Sequence, residues 1–142
     1  MSENRLTPER VRAAFEQTRA TPAQGLMFGL FRDGRQCCGL GACHLAAGGP
    51  IPPTHFGQDD EISAQLGIDR IYLIGFQTGW DGRPPTRWHR VFNRVVHGLY
   101  NLGHADGVAA WAACQLFAGR AAFLIVGAMI ATAMSANVFF WI

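Results

Sequence analysis

Four residues lying close together have the chemistry to act: Cys37, Cys38, Cys43 and His44, in the run QCCGLGACHLAAGG. Thiolate sulfur and imidazole nitrogen are zinc ligands, so the four make a candidate metal set. Their two adjacent pairs strain a tetrahedral arrangement, however, and no second C-x2-C knuckle accompanies them. Cys38, Cys43 and His44 also spell C-x4-C-H, a stretched form of the c-type haem attachment motif, in which two thiols take the vinyl groups and the histidine takes the iron. The usual gap is two residues, and such attachment takes place outside the cytoplasm. Thiolate catalysis is a third use, and it needs a positioned base, for which His44, His55, His89, His97 and His104 are the candidates. The fourth reading is packing: cysteine acts as a small hydrophobe beside Leu40, Ala42, Leu45 and Ala46, and Cys114 does the same beside Trp111 and Leu116. No nucleophile elbow or phosphate loop is spelled out, and the three Asp-Gly pairs lack the alternating acidic ligands of a calcium loop. The balance of these readings is a chain with no cofactor and no catalytic residue to name, zinc and haem being the cofactors weighed.

The elements that would position these residues are marked by their punctuation. Thr7 and Pro8 stand at the cap and first positions of a helix, Leu6 is placed to staple against Val11, and Val11, Ala14, Phe15 and Thr18 give it an inward face that ends near Thr21 and Pro22. A connector over 23–38 follows, with a short extended piece at 26–31 closed by the Asp33-Gly34 turn. A short helix from about Leu40 to Ala47 stops at Gly48 and Gly49. After the Pro/Gly loop GGPIPPTHFG, Asp59 or Asp60 caps a helix ending at Gly67, and Asp69 caps the next. The run RIYLIGFQTGW after Asp69 has the length and apolarity of either a buried strand or a helix.

A repeat decides for helix. Gly75, Phe76, Gly79 and Trp80 are matched twenty-eight residues later by Gly103, His104, Gly107 and Val108, so each copy carries G-x-x-x-G. Glycines four apart share one face of a helix and admit a close backbone approach, which predicts two helices packed through small-residue seams. Between the copies Trp88, Val91, Phe92, Val95, Leu99 and Leu102 recur at helical spacing as an inward stripe. Arg87, Arg90, Arg94, His97 and Asn101 line the other face, either as a solvated surface or as one that meets anionic lipid headgroups.

The last twenty-two residues, Ala121 to Ile142, carry no charged side chain. As a helix they would be about 33 Å long against a hydrocarbon core of about 30 Å, enough to span with modest tilt. Their nine strongly apolar side chains favour insertion by about 3–5 kcal/mol together. Arg120, with Arg87, Arg90 and Arg94 upstream, forms a membrane-proximal basic face that places the preceding domain on the cytoplasmic side of the inner membrane. Gly127, Ala131 and Ser135 form a small-residue row for helix packing, to which Asn137 can add an interhelical hydrogen bond. The amino-terminal run MSENRLTPERVRAAFEQ is polar and amphipathic rather than a secretory signal, so the four cysteines are expected to be reduced.

The segment from Gly127 to Ile142, GAMIATAMSANVFFWI, resembles one transmembrane helix of the bacterial membrane-bound, cytochrome-linked urate oxidases. In that family a similar G-A-M-I-x-T-x-M-x-A-N-V-F-F run continues into an isoleucine-proline and glutamine segment, before which this sequence ends. The resemblance implies a shared helix and, as an alternative function, a subunit or remnant of a membrane redox enzyme. Cys38-Gly39-Leu40-Gly41-Ala42 and residues 75–82 are similar to segments of uncharacterised small bacterial proteins, which bring no activity with them.

The expectation is therefore an all-α chain: a helical domain of four to five helices over 1–118, two of them with G-x-x-x-G seams, and a single transmembrane helix over 119–142. Its function is expected to be that of a membrane-tethered binding or assembly module. Lipid is one expected partner, and another copy or a second membrane protein is the other. The Cys37–His44 cluster supplies a third reading, a cytoplasmic thiol or metal-binding protein. A net charge of +2, with no basic stripe interleaved with aromatics, points away from nucleic acid.

Overall fold

The computed structural model describes residues 5–25, 36–49, 59–85 and 95–116. Helices dominate them. They are α1 (Pro8–Thr18), α2 (Gly39–Ala46), α3 (Asp59–Leu66), α4 (Arg70–Trp80) and α5, helical over 95–116, with a two-residue parallel pairing of β1 (Thr21–Pro22) and β2 (Gln36–Cys37) between α1 and α2. The expected extended piece at 26–31 and the Asp33-Gly34 turn lie outside the described residues, as does the expected boundary at 118.

Local chemistry accounts for the helix ends. The Arg10 amide donates to the Thr7 hydroxyl, Pro8 fills the first turn, and Leu6 is buried with Val11 as the staple requires. Asp69 caps α4 by accepting from the Ile71 amide at 2.7 Å. Gly48 and Gly67 follow α2 and α3 at φ of 83° and 61°, the left-handed turn that glycine takes without steric cost. Helix α4 ends on Asp81 and is tied down from the other side of the molecule. There the Gln24 amide donates to the Trp80 carbonyl at 2.6 Å, and the Trp80 indole donates to Ala23 at 2.8 Å.

The core gathers around Trp80. Its ring stacks on Phe15 of α1 at 5.8 Å and on Phe76 at 6.2 Å, and meets Trp111 of α5 edge-on at 5.2 Å. Helix α1 lies against α2, and α2 lies against α4, so the cysteines at the start of α2 sit under the first helix rather than at a surface.

The glycine repeat does what its spacing predicts. A Cβ placed on Gly75 would strike the carbonyl of Tyr100, and one on Gly79 that of His104. One on Gly103 would strike the carbonyl of Tyr72, and one on Gly107 that of Phe76. These partners advance together along both helices, so α4 and α5 run parallel with a constant offset of twenty-eight residues, each presenting its glycines to the other's carbonyls. The hydrogen that replaces a side chain at each glycine thus points at a backbone oxygen, a weak Cα–H···O contact worth about 0.5–1 kcal/mol.

One expectation is corrected. The inward stripe was to include Val95 and Leu99, but Val95 is 69% exposed and Leu99 is half-buried; the buried residues of the helix are Tyr100, Gly103, Asp106, Gly107, Ala110 and Cys114, of which Tyr100, Gly103, Asp106 and Gly107 meet α4. Close approach of the backbones selects the face with the smallest side chains, and the larger aliphatics go elsewhere. Trp88, Val91 and Phe92 lie outside the described residues.

Candidate functional site

Cys37 belongs to β2, Cys38 is the N-cap of α2, and Cys43 and His44 belong to α2 itself. The chain folds this way because β2 pairs with the strand that follows α1, which brings α2 against α1. All three thiols are fully buried, and His44 is nearly so. The Cys37 thiol donates to the Cys38 carbonyl at 3.4 Å. The ring of His44 sits over Gly49, where a Cβ would overlap it, and its Nδ1 lies 3.4 Å from the Gln65 amide oxygen on α3.

Burial pushes the Cys37 and Cys43 thiols well above their usual range, with neighbouring cysteines adding to the effect, and it raises Cys114 to about 11. These are protonated thiols at neutral pH, the opposite of the activated thiolate that nucleophilic catalysis uses. Among the described residues, no group of three or more His, Cys, Asp or Glu side chains is arranged to hold a metal ion. The fold brings Cys37, Cys38 and Cys43 into one apolar neighbourhood, while His44 turns to Gln65.

A second cluster escaped the sequence. Asp106, in the middle of α5, is buried; it accepts from the Tyr72 hydroxyl at 2.6 Å and from the Arg5 guanidinium at 3.0 Å and 2.5 Å, two parallel bonds of the bidentate kind. Tyr72 in turn accepts from the Leu6 amide at 3.1 Å. Burial first, and then the bond to Asp106, raise the Tyr72 hydroxyl above its usual range. This network joins residues 5, 6, 72 and 106 and satisfies each polar group it buries. A signal was available, since Asp106 is the one charged residue in the stretch 95–116.

The third feature is a surface. The side of α5 turned away from α4 carries Gly98, Ala105, Val108, Ala109, Ala112 and Leu116, all exposed, with Val108 at 46% and Leu116 at 71%. Away from that surface, a shallow cavity of about 190 Å³ is lined by Phe15, Ala20, Pro22 and Cys114, with Arg12 and Glu16 pairing at its rim. The remaining expected site residues, Arg87, Arg90, Arg94 and Arg120 of the basic face and Gly127, Ala131, Ser135 and Asn137 of the packing row, lie outside the described residues.

Helix α5 also carries the likeness to known proteins. Residues 94–142 match the family described as urate oxidase N-terminal. The match covers about a third of the chain, taking in all of α5 and the uncharged segment that follows it. No curated protein and no solved structure matches the chain. No helix among the described residues is long and apolar enough to cross a membrane.

Proposed function

We propose that the chain is a membrane-tethered helical assembly module, held on the cytoplasmic side of the inner membrane by residues 121–142 and working through helix α5. The observation that carries this reading is the uncovered apolar side of α5, which points along the chain to twenty-two residues without a charge. An apolar helix side left in water is costly, at about 25 cal/mol for each Å² exposed, and such surfaces mark contacts. The match over 94–142 favours treating α5 and the segment after it as one unit.

That match also favours a second reading, in which the unit is a subunit or remnant of a membrane redox enzyme of the urate oxidase type, its helices serving assembly with the catalytic partner. An adjacent reading frame that continues the family's pattern would support it; reconstitution of the two products without a stable complex would count against it.

The tether is tested by fractionating cells that express the full chain beside an Ile130→Arg/Ala133→Arg variant. Each arginine near the centre of a span opposes insertion by about 2.5–3.5 kcal/mol, and the two together by more than the whole tail supplies. The full chain is expected in the membrane fraction, resistant to carbonate, and the variant in the soluble or aggregated fraction. Equal distribution of the two would sink the tether.

A further inference from the structure

We infer that the aromatic row of α4 is a one-electron relay, in which an oxidising equivalent taken up at Trp111 passes through Trp80 to Tyr72 while the Tyr72 proton passes to Asp106. This holds wherever the chain is anchored, so it does not depend on the tether.

Three rings stand four residues apart on one side of α4, where neighbouring turns bring side chains together. Tyr72 stacks on Phe76 at 6.5 Å and Phe76 on Trp80 at 6.2 Å, and Trp111 of α5 meets Trp80 edge-on at 5.2 Å. Trp80 is fully buried and Trp111 only partly so, which makes Trp111 the end of the row that a surface oxidant reaches. Indole and phenol are the two side-chain rings that give up a single electron readily. Packing accounts for the rings, and a phenylalanine at 72 would serve packing as well.

The proton acceptors decide where the electron vacancy comes to rest. A phenol that loses an electron becomes a strong acid, so tyrosine is oxidised easily only beside a base. The Tyr72 hydroxyl donates to the Asp106 carboxylate at 2.6 Å, and among the described residues Asp106 is the one buried carboxylate. Burial first, and then that bond, keep the hydroxyl protonated at neutral pH, so the electron and the proton must leave together. The Leu6 amide donates to the phenolic oxygen and the Arg5 guanidinium to the carboxylate, which leaves both oxygens hydrogen-bonded after the proton has moved. The Trp80 indole has a different partner. It donates at 2.8 Å to the Ala23 carbonyl, too weak a base to take the proton, so the vacancy is not trapped at Trp80 and moves on.

The oxidant is an oxygen-centred radical of the peroxyl class, which takes one electron from Trp111 and leaves as its anion. Trp111 is restored by an electron from Trp80, and Trp80 by one from Tyr72. Tyr72 becomes a neutral tyrosyl radical as its O–H bond breaks and a new one forms on Asp106. A one-electron donor of the ascorbate class, with the proton returned by Asp106, restores the phenol.

Pulse radiolysis of the full chain in mild detergent tests the relay, with the azide radical as oxidant. A Trp88→Phe/Trp141→Phe background makes oxidation start at Trp111 or Trp80, the other two of the four tryptophans. The indolyl absorption is expected to decay as the tyrosyl absorption grows, at a rate independent of protein concentration and slower in heavy water. Tyr72→Phe should abolish that growth, and Tyr100→Phe should leave it unchanged. Asp106→Asn keeps an oxygen for the Tyr72 hydroxyl but cannot take its proton, so the indolyl signal should persist. Arg5→Ala weakens the same network without removing the base, and the tyrosyl radical should still form; a role confined to holding the fold together would make Arg5→Ala and Asp106→Asn behave alike. Growth that survives Tyr72→Phe, is lost in Tyr100→Phe, or proceeds equally in Asp106→Asn would overturn the inference. If near-ultraviolet circular dichroism shows Asp106→Asn unfolded, the heavy-water comparison on the background chain decides, and equal rates there overturn it.

Discussion

At the scale of single residues, the buried thiols set the alkaline limit of stability. Cys37 and Cys43 keep their protons in the folded chain far above the pH at which an unfolded thiol loses its own. With the folded pKa raised, the stabilising contribution is complete below the unfolded pKa and is lost as pH rises above it. Between about pH 9 and pH 10 each such thiol should remove about 1.4 kcal/mol of stability, and Tyr72 should add to the loss above about pH 10. Urea midpoints across that range should therefore fall steeply, and Cys43→Ala, though less stable at pH 7, should show a shallower fall. Equal slopes for the two proteins would show that the thiols are not the titrating groups. The adjacent cysteines and the histidine were plain in the sequence, and so was packing as one of their four uses. The choice among those uses was not, because it depends on β2 pairing with a strand fifteen residues before it, which carries the thiols under α1. Asp106 was less legible: in the sequence it is half of an Asp-Gly pair, and its partners stand thirty-four and one hundred and one residues away.

At the scale of elements, the twenty-eight-residue repeat was the most informative pattern in the chain, and the glycines explain why. Their value lies in a missing atom, so spacing alone states the contact. Replacing Gly79 or Gly103 with alanine adds a Cβ where a carbonyl already stands, which should cost about 1–3 kcal/mol by overpacking, despite alanine's better helix propensity. Gly98 faces open space on the same helix, so Gly98→Ala should gain about 0.5–1 kcal/mol. Denaturant melts of the three variants read the contrast directly, and a stabilised Gly103→Ala would remove the α4–α5 seam from the fold. The inward stripe through Val95 and Leu99 was misread for the same reason turned around: apolar periodicity favours large side chains, whereas a glycine seam buries the small ones. Helix α5 has both, on different sides, and only the three-dimensional structure says which side meets α4.

At the scale of the whole molecule, the network at Asp106 closes the chain on itself. Arg5 precedes the first helix and Asp106 lies in the last described one, so their pairing fastens α1 over the Trp80 cluster and holds α1 to the helix that leads toward the carboxyl terminus. The two partners are unequal. The Arg5 side chain is 44% exposed and that of Asp106 only 10%, so water screens the cation while the carboxylate depends on its partners. Removing Arg5 should therefore cost little, about 0.5–1 kcal/mol for Arg5→Ala. Asp106→Ala should cost about 2–4 kcal/mol, because it leaves the buried Tyr72 hydroxyl without its acceptor and takes away the group on which Arg5 folds down. In a double-mutant cycle the coupling should be positive and should shrink as salt is raised from about 0.05 M to about 0.5 M, since only the exposed half of the pair is screened. Near-ultraviolet circular dichroism of the tryptophans reports whether α1 remains seated. If Asp106→Ala melts with Arg5→Ala, at the same midpoint and with the same loss of tryptophan signal, the network is a surface ion pair and not the clasp that joins the two ends of the fold.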